Sequence, residues 1–211
     1  MKRWMLSVSL TEEEREEMAV RCHFDRAELP KISAFYEAVL PLVRAQACFC
    51  MAAPERAGEK AALCAVSLGQ KFDALQELYS SVEAVSEAYI LECIGNMLLE
   101  KACERLADIL GRETGLFPET CRFPGSHMPI EEMGDMIKEL SAGEKDFFIT
   151  CSESYCLQPK KSVIYLGILG KCKTERHMCE DCPKKDCENR RQNYNYGYQK
   201  IFGREEKRET L

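Results

Sequence analysis

The stretch SVEAVSEAYILECIGNMLLEKACERLADILG, residues 81–111, is the longest periodic segment of the chain, and the architecture is read outward from it. Its apolar residues, among them Val85, Leu91, Ile94, Leu98, Ala102, Leu106 and Leu110, recur at the three- and four-residue steps of a helix with one apolar stripe. Ser80 or Ser81 is placed to cap the start and Gly111 to stop the end. Gly95, in mid-helix, costs about 1 kcal/mol relative to alanine. It is read first as close packing of the helix on a sheet and second as room for a ligand.

Ahead of this helix, AALCAVSL (residues 61–68) reads as a short buried strand ending at Gly69, and Gln70–Leu78 as a short helix. Thr11-Glu12-Glu13-Glu14 has the form of a capping box, opening a helix to about Arg21. After Leu29-Pro30 a second helix is expected over about 31–50, with Ile32, Phe35, Val39, Leu42 and Val43 near helical spacing. Behind the long helix the character changes. Residues 117–129 read as strand and loop, Pro129–Leu140 as a short helix opened by proline and acidic residues, and Lys145–Ser152 and Lys161–Leu169 as strands. Helices dominate the first half and strands the second, so the expected class is α+β. Three regions are expected: an N-terminal helical region over 1–58, a core over 59–170, and a Cys-rich segment and tail over 171–211.

With 211 residues the chain can bury a full core. The net charge of -6 argues against a nucleic-acid or anionic-membrane partner, since both favour basic surfaces. No apolar run approaches the roughly 20 residues of a membrane span. The first ten residues have a basic start but only a short apolar stretch before Thr11-Glu12-Glu13-Glu14, so they are not read as a signal peptide. The 13 cysteines are an odd number, and Cys48, Cys50, Cys64, Cys93 and Cys103 sit inside apolar patterns. They are read as buried free thiols in a reducing cytoplasm rather than as a disulfide framework.

Cys172, Cys179, Cys182 and Cys187 form a separate cluster, spaced C-x6-C-x2-C-x4-C. Four thiolates suit a tetrahedral zinc or one iron–sulfur cluster, and Lys171, Lys173, Arg176, Lys184 and Lys185 would offset their charge. The spacing matches neither the two-pair zinc ribbon nor the C-x2-C-x2-C of bacterial ferredoxins. A metal site and free thiols or disulfides both remain open readings.

Several segments in order resemble the activation domain of cobalamin-dependent methionine synthase, in a stand-alone version. Ser152-Glu153-Ser154-Tyr155-Cys156-Leu157-Gln158-Pro159-Lys160-Lys161-Ser162-Val163 is similar to the S/T-E-S-aromatic…P-x-x-S-V signature of that domain. Arg122-Phe123-Pro124-Gly125 resembles its Arg…Pro-Gly-Tyr loop, and Ala65–Gly69 followed by the helix with Ile94-Gly95-Asn96 and Glu100 resembles its core. The terminal Cys179, Cys182, Cys187 and Arg190 resemble the C-x2-C-x4-C…R block of stand-alone members. The resemblance covers roughly residues 60–190.

It implies helices packed on a mainly antiparallel twisted sheet. It also implies binding of S-adenosylmethionine for reductive methylation of cob(II)alamin carried by a partner. That partner would be a methionine synthase core or related corrinoid protein, served by an electron donor such as flavodoxin or ferredoxin. The chain has no D-x-H-x-x-G corrinoid loop of its own. The residues expected at the ligand are Glu100, Arg122, Pro124, Gly125 and Ser126. Arg122 would grip the carboxylate, Gly125 would let the backbone approach, and Glu100 suits the amine and the sulfonium charge. The loop departs from the family pattern: it is one residue shorter, and Ser126 stands where the family has tyrosine. A metal-binding interaction protein that has kept the fold and lost the ligand is therefore the alternative. Lys160 and Lys161, beside Pro159, are read as a solvated turn, and His127 is given no chemical role.

Overall fold

The computed structural model describes residues 2–53, 58–82 and 84–173. Its centre is a five-stranded antiparallel sheet in the order β1-β2-β3-β7-β4. The strands are β1 (Arg3–Met5), β2 (Gln46–Met51), β3 (Ala61–Ser67), β4 (Phe117–Arg122) and β7 (Ser162–Gly170). A small hairpin of β5 (Thr150–Cys151) and β6 (Leu157–Gln158) stands beside it. Helices α1 (Glu12–Arg21), α2 (Leu29–Val39), α3 (Gln70–Ser81) and α4 (Val85–Thr114) cover one face, and α5 (Glu132–Ser141) the other. The α+β class with helices on an antiparallel sheet is thus as the sequence and the resemblance lead one to expect.

The apolar run at 61–68 follows from this sandwiching. On β3, Ala62, Cys64 and Val66 face α1–α4, while Ala61, Leu63 and Ala65 face α5. A strand buried on both faces has no polar side to show, so it reads as continuous rather than alternating. On the long helix, Ile90, Leu91, Ile94, Leu98, Leu106 and Leu110 are buried against the sheet and the smaller helices. Gly115 ends it in the left-handed conformation with φ +72°, four residues beyond the expected stop at Gly111.

Two expectations are corrected, and one strand has no sign in the sequence. The helix expected over 31–50 ends at Val39, and Gln46–Met51 is a strand. Pro41 has no N–H to carry a helix onward, and residues 46–51 find a register partner in β3, with Ala47 opposite Val66 and Cys48 opposite Ala65. The strand expected over 145–152 shrinks to Thr150–Cys151, because Phe147, Phe148 and Ile149 pack under α5 instead of pairing. Residues 3–5, which carry no strand signal on their own, pair with β2, and the Trp4 ring stacks on Phe49 at 5.2 Å. Residues 1–58 and 59–170 therefore contribute to the same sheet and the same core.

The capping box is present in full. The Thr11 side chain accepts from the Glu14 N–H at 3.2 Å, and Glu14 Oε2 accepts from the Thr11 N–H at 2.9 Å. Replacing Thr11 with alanine is expected to cost about 1 kcal/mol, read as a shift in the urea midpoint at unchanged slope.

Every described cysteine is a free thiol. Burial pushes Cys48 up to about 12 and holds Cys64 and Cys103 well above the ordinary thiol value. These groups stay protonated and serve as small apolar side chains, as expected. Among the described residues, no helix is long and apolar enough to cross a membrane.

Candidate functional site

Strand β4 is an edge strand whose last ladder pair sets Arg122 opposite Leu166 of β7. Leu166 belongs to the core under α5, so the Arg122 side chain starts on that face, while Cys121 and Phe123 point toward α4. The chain then turns sharply at Phe123-Pro124-Gly125-Ser126-His127. Ser126 N–H and His127 N–H both donate to the Phe123 carbonyl, at 3.1 and 2.9 Å, and the Gly125 N–H donates to the Met128 carbonyl at 2.9 Å. Gly125 has φ +80°, a conformation that glycine reaches without steric cost. The Arg122 guanidinium meets Glu59 Oε1 at 2.8 Å and its side chain stays 22% exposed.

The structure thus gathers Arg122, Pro124, Gly125 and Ser126 into one turn at the end of the sheet. Glu100 lies on α4, the helix covering the sheet face away from the Arg122 side chain, with one carboxylate oxygen withdrawn from solvent. Cys172 is exposed just beyond β7. Cys179, Cys182 and Cys187 lie outside the described residues, and among the described residues no group of His, Cys, Asp and Glu side chains is arranged to hold a metal.

Lys161 differs from its reading as part of a solvated turn. Its side chain is only 10% exposed and forms an ion pair with Glu92 of α4. Its Nζ also donates to Asn96 Oδ1 at 2.7 Å, and Gln76 Nε2 of α3 donates to Glu92 Oε2 at 2.7 Å. Asp73 accepts the backbone N–H groups of Lys160 and Lys161. Lys160 stays exposed and reaches Glu77 at 3.1 Å. Gln76, Glu77, Glu92, Lys160 and Lys161 line a cleft of about 630 Å³ between α3, α4 and the turn into β7. Burial acts to raise the Glu92 pKa, but hydrogen bonds and charge from Lys161, with Gln76 and Asn96, leave it below the ordinary carboxyl value. The spacing of Gln76, Glu92, Asn96 and Lys161 in sequence gives no sign of this convergence.

Gly95 is explained by packing. A Cβ there would lie 2.7 Å from two ring carbons of Phe72 and 3.1 Å from Lys161 Cε. The first of the two readings of that glycine, close packing, therefore holds, although the neighbour is an α3 side chain rather than the sheet.

No family model matches the chain. No curated protein matches it either. Among solved structures, 13 chains match. One is the crystal structure of the MetH reactivation domain bound to AdoHcy, at 12% sequence identity and a TM-score of 0.58, over 84% of this chain and 80% of that one. The chain is a structural relative of that domain and shares its fold.

Proposed function

We propose that this protein binds S-adenosylmethionine and acts as the reactivation subunit of a separate cobalamin-dependent methionine synthase or related corrinoid methyltransferase. The observation that carries the reading is the likeness over 84% of the chain to a reactivation domain whose crystal structure holds AdoHcy, the product left when S-adenosylmethionine gives up its methyl group. The Arg122–Ser126 turn suits such a ligand. Gly125, at φ +80°, leaves the backbone open to close approach, and a Cβ there would meet nothing nearer than Ile130 at 3.5 Å. Arg122 carries a permanent charge and a two-pronged donor set matched to a carboxylate. Its pair with Glu59 is at the surface, worth about 0–1 kcal/mol, and a ligand carboxylate can displace it.

In this role the ligand supplies the methyl group that traps one-electron-reduced cobalamin, with the electron coming from a donor such as flavodoxin or ferredoxin. The corrinoid and the donor belong to partner proteins in the cytoplasm, so this chain acts only in complex. Isothermal titration with S-adenosylmethionine tests the reading. Binding is expected, and Arg122→Ala is expected to weaken it about tenfold or more, the cost of losing a charge-assisted contact. Binding that ignores the substitution would move the site away from the turn.

The alternative, a metal-binding interaction protein without the ligand, draws support from the Arg122–Glu59 pair and from Ser126 in place of an aromatic residue. It predicts no heat of binding. For either reading, Cys172, Cys179, Cys182 and Cys187 are the candidate ligands of zinc or an iron–sulfur cluster. Visible absorption and metal analysis of anaerobically purified protein test that assignment: a colourless sample without iron or zinc would end it.

A further inference from the structure

We infer that His127 is the positioning residue that holds the Arg122–Ser126 turn in its ligand-binding shape. The ladder of β4 stops at Arg122, so no strand neighbour fixes the backbone beyond it. Besides the Ser126 N–H on the Phe123 carbonyl and the Gly125–Met128 bond, what fixes it is His127. Its Nδ1 accepts the Phe123 N–H at 3.1 Å, and its own N–H donates to the Phe123 carbonyl at 2.9 Å. Both polar backbone groups of the residue that follows Arg122 are thus tied to one histidine. The two rings also touch, with centroids 5.9 Å apart, and the Phe123 ring packs in turn on buried Tyr165 at 5.9 Å. The path that Pro124, Gly125 and Ser126 take out of the sheet depends on the backbone of Phe123, and that backbone is clasped. Accepting through Nδ1 requires this nitrogen to be without a proton, so the neutral ring carries its proton on Nε2.

The inference rests on the proposed binding of S-adenosylmethionine at this turn, and its test separates the two. The unaltered protein, His127→Ala and His127→Asn are compared by amide exchange at Phe123 and by titration with S-adenosylmethionine. The asparagine Oδ1 can accept the same N–H, which alanine cannot. In His127→Ala the Phe123 amide is expected to exchange about tenfold faster, as befits the loss of one hydrogen bond. Affinity is expected to fall about tenfold with it, and His127→Asn is expected to restore both to within about threefold. Nitrogen-15 spectra above the histidine pKa should show the Nε2-protonated form. The chain has three histidines, and the signal lost in His127→Asn identifies the one in question.

An Nδ1-protonated ring, unchanged Phe123 exchange in His127→Ala, or weakened binding that asparagine fails to restore would each overturn the inference. So would full affinity in the alanine variant. If the unaltered protein binds no S-adenosylmethionine, the proposed function fails, and the clasp is then decided by the Phe123 exchange and the ring tautomer alone.

Discussion

Replacing Lys161 with methionine is expected to lower stability by about 2–3 kcal/mol. Breaking a buried ion pair from one side costs about 3–5 kcal/mol, because the remaining charge has lost its partner. Here Glu92 is 45% exposed and water can reach it, which reduces the penalty. Asn96 loses its donor as well, while the turn into β7 keeps its backbone bonds to Asp73 and Leu68. The double variant Lys161→Met/Glu92→Leu should recover much of the loss, since the uncompensated charge is gone. Chemical denaturation measures both, and a single variant within about 0.5 kcal/mol of the parent would show that the pair contributes little.

The same pair sets a pH dependence. The Glu92 carboxyl has a lowered folded pKa because Lys161, with Gln76 and Asn96, outweighs the large opposing effect of burial. Its contribution is therefore complete above its ordinary value of 4.5 and is lost as pH falls through the lowered folded value. The parent should lose stability over this acid range more steeply than Lys161→Met does.

The second large effect lies beside it. Phe72 is fully buried at the start of α3, with its ring over Gly95. Phe72→Ala is expected to cost about 3–5 kcal/mol through lost burial and the cavity left between α3 and α4. Gly95→Ala alone should cost about 1–2 kcal/mol, overpacking against the ring being partly offset by the better helix propensity of alanine. In the Phe72→Ala background the same change should stabilise by about 1 kcal/mol, because the added methyl enters the space the ring has left. Additive effects in this double-mutant cycle would show that ring and glycine are not coupled.

Much of the fold was legible because periodicity and caps are local signals. The 30-residue α4, the capped α1, the buried β3 and the strand at 162–170 all follow from patterns within the segments themselves. The turn at Arg122–Ser126 is marked by its Pro-Gly, and the structure shows a tight turn there with Gly125 at φ +80°. The sequence over 46–51 was misread because a short apolar run suits helix and strand alike until a partner strand is present. Phe147 and Phe148 look like strand residues, yet their rings found a better place under α5.

By itself, then, the sequence determined the class of the fold, most of its helices, the protonated buried thiols as small apolar fillers, and the place of the turn. Only the tertiary structure decided the burial of Lys161, the reason for Gly95 and the grip of His127 on Phe123. Each of these depends on groups brought together from separate elements: Lys161 with Glu92 and Asn96, Gly95 with Phe72, and the His127–Phe123 pair with Tyr165. Local pattern reports how a segment meets its own backbone and one apolar face. Pairings across the core are fixed only when strands and helices have chosen their neighbours.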